Sequence, residues 1–502
     1  MTRKLARASR FPLAGAATDL LFVFIGRIGG ITVTLVFIPW YHLLLGGRAF
    51  GFFALVLSLQ SLFLMFDLGL ATLIARDVAR NRSDTALLAA TIADWRRAEL
   101  AIIAAMALGI GVVASGSGPG PLANIALAGV IIAAQVALNI AQNGLGALQH
   151  YRLNSIVVVG GALLRAAASV LVLTRVEASL AALLLVQAGF SLLQLLAVRW
   201  LFLVRLAPQA RRIRPRLLDR VALGRLWRDV RLMAAWSLAG ALVIQCDKLI
   251  VSGWFSIESA GRYFLATTFA LTPIAVLGGP LQQYFFPKVV AAGGAASPDA
   301  DRLAQRFVMM TVLAVTAPSV VLFIHADVWL QLWLHQPAVV AAITPLARLL
   351  LAGAAVSALG YYPTARLQAA QRTGFLARLA VTASALTLLA AMAAAACGSM
   401  LAIAAVYAAY FMLSAAVLWW AVRLHHLRAD YATLVLRHFL GPVMLVLVPV
   451  AGFSLATRLW LAPEPAALAS VAGGGVWMAV VGGLWWLRYG AGAMLLPPEP
   501  TR

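Results

Sequence analysis

Uninterrupted apolar runs, each about long enough to cross a bilayer as a helix, follow one another along almost the whole of this 502-residue chain. A membrane-spanning helix needs about 20 mostly apolar residues. With 63% of its residues hydrophobic, the chain can fill roughly 12 to 15 such helices, with little left for a domain outside the membrane. Charged residues make up 11%, less than half of the roughly 25% usual in soluble domains. An ordinary soluble enzyme, a disordered chain and a coiled coil are excluded. A transmembrane β-barrel is excluded as well, because its strands alternate polar and apolar residues. The fold class is an all-α polytopic membrane protein.

Fourteen spans are expected, at roughly 17–41, 50–74, 98–116, 122–146, 153–174, 179–204, 232–254, 261–286, 307–325, 341–365, 374–396, 400–422, 433–456 and 467–487. The basic start (Arg3, Lys4, Arg7, Arg10) precedes an apolar stretch too long for a signal-peptide core, without a clean small-residue cleavage site. It reads as a retained first helix with the N-terminus in the cytoplasm. With that orientation the inner segments hold 30 of the 39 Lys and Arg and the outer ones four: Arg48, Arg175, Arg262 and Arg458. This is the positive-inside pattern. Topology thus accounts for the formal charge of +22, and nucleic acid is not needed as a partner.

The richest basic segment, Arg205 to Arg231, lies between spans 6 and 7. It reads as an anchor on anionic headgroups or as a docking site for a cytoplasmic partner. A short repeat relates the halves. Phe50-Gly51 at the start of span 2 matches Ala260-Gly261 at the start of span 8, and Leu148-Gln149 before span 5 matches Leu367-Gln368 before span 11. Six spans per half make the repeat parallel, an arrangement that lets a midplane cavity open to each side in turn. The expected organisation is a six-helix lobe (1–205), a basic linker (206–231), a second six-helix lobe (232–425), and two further helices with a tail (426–502).

Chemical motifs are scarce. No phosphate-binding loop surrounds Lys4, Lys248 or Lys288. No His, Asp and Glu cluster has metal spacing, and the two cysteines, Cys246 and Cys397, form no framework. No cofactor is expected. No loop outside the membrane is long enough for a polymerase or ligase domain. What remains is charge inside the membrane, which costs about 2.5–3.5 kcal/mol at a helix centre on insertion scales and usually faces a cavity or a partner. Arg27, Arg165, Lys248 and Arg348 are the candidate ligand-binding cations, drawn from both halves. Asp67 and Asp247 read as ion-coupling or structural groups. Asp247 and Lys248 are adjacent, so their side chains leave the helix about 100° apart and cannot both face one direction; pairing of one of them with a neighbouring helix is the structural alternative to a cavity-facing role. On span 4, Gln135, Asn139 and Gln142 share one face with Gly146 and Gln149. That stripe serves either interhelical hydrogen bonding or a wet wall for hydroxyl-rich cargo. Pro273 and Gly278-Gly279-Pro280 should kink or break span 8.

These residues resemble a known family. Gly26-Arg27-Ile28-Gly29-Gly30, Gly51-Phe52-Phe53-Ala54-Leu55 and Asp67-Leu68-Gly69-Leu70-Ala71-Thr72 look like the opening of the bacterial O-antigen type flippases of the multidrug/oligosaccharidyl-lipid/polysaccharide (MOP) exporter superfamily. Asp247-Lys248-Leu249-Ile250, Leu332-Trp333-Leu334 and Leu367-Gln368-Ala369-Ala370-Gln371-Arg372-Thr373 extend the resemblance to about residue 425. Gly46-Gly47-Arg48 departs from the family's Gly-Pro-acidic turn, and Lys248 stands where Arg is commoner. The resemblance implies a bacterial inner-membrane flippase for polyprenyl-diphosphate-linked glycans, with two six-helix lobes around a cationic cavity. Membrane lipids and polysaccharide-assembly proteins are the implied partners. Lipid II flippases and cation-coupled multidrug extruders of the same superfamily are the alternatives within it. A membrane glycosyltransferase or polymerase is the alternative outside it.

Overall fold

In the computed structural model of the chain, the described residues are 13–65, 119–148, 150–201, 238–291, 298–424 and 440–489, with isolated positions between 78 and 108 and at 435. All of their regular structure is helical. Eleven helices among them are long and apolar enough to cross a membrane. The first of these, Phe24–Met65, has 42 residues. At 1.5 Å per residue it would measure about 63 Å, twice the ~30 Å hydrocarbon core, so it must turn back. It does so inside α1 (Leu13–Met65) at Gly46, whose φ of 74° and ψ of 169° are non-helical. That region is open to essentially glycine alone. The expected loop between spans 1 and 2 is therefore compressed to one residue. Most of span 3, and Asp67, lie outside the described residues, as do residues 206–231.

The chain divides into two compact units, Met1–Gly261 and Arg262–Arg502. In the first, α1 packs along α3 (Tyr151–Arg175), and α2 (Pro119–Ala147) packs along α4 (Leu180–Trp200), with α3 also against α4. Glycines permit the α1–α3 approach. A Cβ at Gly26 would sit 2.7 Å from Ser155 Oγ, and one at Gly29 would sit 2.8 Å from Val159. Ser155 Oγ donates across the seam to the Phe22 carbonyl. Ile132, Val136, Leu138, Ile140 and Leu145 of α2 are buried against Leu195 and Val198 of α4. A helix over 238–254, here α5, carries Asp247 and Lys248. The first turn of α6 (Ile257–Pro273) also belongs with this unit. Gly51 lies against it so closely that a Cβ would sit 2.0 Å from the Ile257 carbonyl oxygen. The repeat-related glycines meet there, a Cβ at Gly261 lying 2.9 Å from Gly51 Cα.

In the second unit, α6 passes through a π turn (Ile274–Gly278) into α7 (Gly279–Ala291). A second π turn (Val312–Thr316) joins α8 (Pro298–Thr311) to α9 (Ala317–Ile324). Each turn contains the residue four before a proline, Val276 before Pro280 and Ala314 before Pro318. A proline ring clashes with the carbonyl at that spacing, and a widened turn relieves the clash. Then come α10 (Ala326–Leu334), α11 (Pro337–Ala358), α12 (Tyr361–Ala369), α13 (Thr373–Ala396) and α14 (Met400–Leu424). The expected span 10 is thus two helices broken at Leu359–Gly360. The last two helices, α15 (Gly441–Trp460) and α16 (Pro463–Tyr489), pack on one another and on α9. Their Val446 and Val481 join a core with Phe285, Phe307, Tyr362 and Trp419.

Candidate functional site

Four helices of the first unit each contribute polar side chains to one buried cluster. Tyr41 comes from α1, Gln135 from α2, Arg165 and Ser169 from α3, and Gln187 and Ser191 from α4. Ser191 is the node. Its Oγ accepts from Gln135 Nε2 at 2.9 Å and from Arg165 NH1 at 3.2 Å. One helical turn away, Ser169 Oγ donates to the Arg165 carbonyl at 2.8 Å and accepts from Gln187 Nε2 at 3.1 Å. The Tyr41 hydroxyl reaches the Ala166 carbonyl at 3.5 Å, the edge of a hydrogen bond. Ser191, Ser169, Gln187, Tyr41 and Gln135 are all buried, whereas Arg165 is half-buried. Among the described residues, the Arg165 guanidinium has no carboxylate partner.

The expected residues are distributed as follows. Gln135 does not stand on an open wet wall. It is a hydrogen-bonding strut between α2 and α4, as the interhelical reading of the stripe would have it. Asn139 and Gln142 lie further along the same helix and are half-buried. Asn139 receives Asn143 Nδ2 at its carbonyl, at 2.8 Å. Arg27 sits on α1 within the glycine seam; its side chain lies outside the described residues.

Lys248 and Asp247 overturn the expectation that the two cannot face one direction. They pair with each other at 2.8 Å, and both are almost wholly buried. The divergence of adjacent side chains is real, but the long Lys stem folds back far enough for Nζ to reach both the Asp247 carboxylate and the Ile244 carbonyl at 2.8 Å. The pair leaves neither residue a free charge for a ligand.

Arg348 is likewise engaged, in a second cluster at one end of the second unit. Its NH2 meets Asp327 Oδ1 at 3.0 Å, and its Nε meets the Phe323 carbonyl at 3.2 Å. Arg458 of α15 contacts both Asp327 oxygens at 2.9 Å and donates to the Ile324 carbonyl. Burial alone would raise the Asp327 carboxyl. The hydrogen bonds and charge of Arg458, with the charge of Arg348, outweigh that effect and hold it below the usual carboxylate range. Beneath it, fully buried His325 shares a 2.8 Å hydrogen bond with Ser470 of α16, which Thr457 of α15 also meets at 2.7 Å. Burial first, then the charge of Arg458, push the His325 imidazole below its usual range. This cluster ties the last two helices to α9 and α10. Sequence reasoning missed it, because Asp327 is 21 residues from Arg348 and 131 from Arg458. It also missed Tyr41 and Ser169, which carry no pattern of their own. Among the described residues, no group of three or more His, Cys, Asp or Glu is placed to hold a metal ion.

No family model matches the chain, and no curated protein matches it in sequence. Solved structures match it in fold. The lipid II flippase MurJ, in an inward closed conformation, superposes with a TM-score of 0.68 at 10% identity, over 94% of this chain and 99% of that one. An inward-facing multidrug resistance MATE family transporter of the MOP superfamily gives 0.62 at 12% identity, over 82% of this chain and 98% of that one. A MOP superfamily transporter from Pyrococcus furiosus, described as having a binding pocket of reverse polarity, gives 0.55 at 14% identity, over 82% and 96%. The chain is a multi-pass membrane protein with the fold of the MOP-superfamily transporters.

Proposed function

We propose that the chain is an alternating-access transporter of the bacterial inner membrane, N-terminus inside, and not an enzyme. Its cargo is a polyprenyl-diphosphate-linked glycan, of the O-antigen or lipid II kind, moved from the cytoplasmic to the outer leaflet. The observation that carries this reading is the extent of the likeness to the lipid II flippase. It takes in 94% of the chain against 82% for the multidrug transporters, a difference of about two helices. The charges lend support. Asp247 is neutralised by Lys248, and Asp327 by two arginines, so neither is free to hold a transported cation. Arg165 keeps its positive charge unopposed among the described residues.

In this reading Arg27 and Arg165 receive the diphosphate, for which a planar guanidinium is well suited. Asn139 and Gln142 meet the sugars, and the polyprenyl tail stays in lipid. Outward movement of two negative charges gains ~4–5 kcal/mol at 100 mV inside-negative, at ~2.3 kcal/mol per charge, so no ATP is required. The test is flipping of a fluorescent polyprenyl-diphosphate oligosaccharide in liposomes. Folded Arg27→Ala protein should translocate at least tenfold more slowly; an unchanged rate removes Arg27 from the site. A second reading, cation-coupled drug extrusion, is favoured by the MATE structures of the same fold. It requires that organic cations be exported against a Na⁺ or H⁺ gradient.

A further inference from the structure

Three helical paths of the second unit are interrupted where they touch, and each for the same reason. A proline has no N–H to return to the carbonyl four residues before it, and its ring crowds that carbonyl. Val276 before Pro280 and Ala314 before Pro318 lie in the two π turns. Leu359 before Pro363 lies at the break between α11 and α12. Trp419 of α14 takes up the freed Leu359 carbonyl, its Nε1 donating at 3.0 Å. The π turns lie against each other and against α11. Gly278, the last residue of the first π turn, meets the Tyr361 ring so closely that a Cβ would sit 2.8 Å from it. In the second, the Thr316 hydroxyl reaches the Ala355 carbonyl, one turn before Leu359, at 3.5 Å.

The half-helices on the two sides of this level are held differently. On one side, α7, α8 and α12 are joined by a chain of rings. Phe285 stacks on Phe307 at 4.7 Å, and Phe307 meets Tyr362 edge-on at 6.4 Å. On the other side, α11 lies against α14 so closely that a Cβ at Gly353 would sit 2.6 Å from Ala408 Cα, and α9 packs along α15. Sharp helix bends concentrate at prolines and π turns, and here three such points share one level. We propose that α7, α8 and α12 are one moving body, which swings against α6, α9 and α11 about this level with Trp419 at the pivot. Rocking of intact lobes needs no such joint inside one of them. The joint does not depend on the cargo assigned above. That its swing gates the cytoplasmic end of the unit during transport does rest on that reading.

The test uses the full-length protein in nanodiscs, with Cys246 and Cys397 replaced by serine and spin labels placed in pairs through Lys288→Cys, Gln368→Cys and Leu401→Cys. Lys288 of α7 and Gln368 of α12 lie within the moving body, and Leu401 is exposed at the far end of α14. Pulsed electron spin resonance, with and without added polyprenyl diphosphate, should give one narrow distance between 288 and 368. Each of them paired with 401 should give two populations over the same samples. The triple variant Pro280→Ala, Pro318→Ala, Pro363→Ala restores the missing N–H groups. It should leave one population across the joint and flip glycolipid in liposomes at least tenfold more slowly. One narrow distance across the joint with all three prolines present, two populations within the body, or two populations retained by the folded triple variant would each overturn the joint. If the triple variant does not fold, the distances in the proline-containing protein decide. If the triple variant stops the swing yet flips at the normal rate, the joint stands and its gating role falls. If the joint swings in a protein that flips no glycolipid, the cargo assignment falls instead.

Discussion

Replacing Gly51 with alanine should damage this protein far more than any neighbouring glycine substitution, and the structure says why. A Cβ at Gly51 would lie 2.0 Å from the Ile257 carbonyl oxygen, where ordinary contact begins at 3.4 Å. The obstacle is backbone, so α1 and the first turn of α6 must separate by about 1.4 Å. Overpacking of this kind costs about 1–3 kcal/mol, and more where backbone must move. Two nearby glycines separate the causes. Gly46→Ala meets nothing within 4 Å, but its backbone angles are glycine-only, so it should lose ~1–3 kcal/mol to conformation alone. Gly47→Ala meets only the Glu258 side chain, 2.8 Å away, which can swing aside, so the loss should stay below about 1 kcal/mol. Gly160→Ala, in the interior of α3 with nothing within 4 Å, is the control and should gain ~0.5–1 kcal/mol. Thermal unfolding of purified variants, read by the fraction remaining monodisperse, ranks the four. If Gly51→Ala unfolds with Gly160→Ala, the crossing of the repeat-related glycines is not as close as described.

Two more perturbations follow from the ion pairs. Lys248→Met should be severely destabilising, by ~3–5 kcal/mol, because it strands a buried carboxylate. Adding Asp247→Asn should restore most of that loss; a double variant no better than the single one would show that the two residues do not pair. At the other cluster, the His325 pKa lies below its unfolded value, so the unfolded chain binds more protons as pH falls below about 6.5. Stability should therefore decline on acidification from pH 7, and His325→Asn should flatten that decline. Asp327, whose own value is depressed, adds a further loss that begins as pH falls through about 4, where the unfolded carboxylate takes up its proton, and continues down to the folded value. An unchanged slope in His325→Asn would remove the imidazole from the explanation.

Much of the scaffold was legible in the run lengths. Spans 1 and 2 are two helices that meet at Gly46, within the turn the apolar pattern brackets. Pro273 and Pro280 marked the irregular stretch of span 8, because a missing N–H and a ring clash act locally. Pro318 made a second such turn by the same means and went unread. Local pattern failed where partners are distant in sequence. The stripe of Gln135, Asn139 and Gln142 reads as polar whether it meets water or a serine, and only the packing of α2 against α4 brings Ser191 to Gln135. Arg348 looks like a lone intramembrane cation until the fold brings Asp327 and Arg458 together. Lys248 departs from expectation for a different reason: adjacent Cβ directions diverge, but its four-carbon stem folds back on its own helix to reach Asp247.

Cargo choice in one reconstituted system is the decisive test of function. Liposomes holding the unmodified protein would be given a fluorescent polyprenyl-diphosphate oligosaccharide in one arm and an organic cation with a Na⁺ or H⁺ gradient in the other. The expected outcome is glycolipid flipping without ATP, faster with the receiving side positive, and no cation export. Cation export driven by the gradient, with the glycolipid left in its original leaflet, would contradict the proposed function and establish the drug-extrusion reading instead.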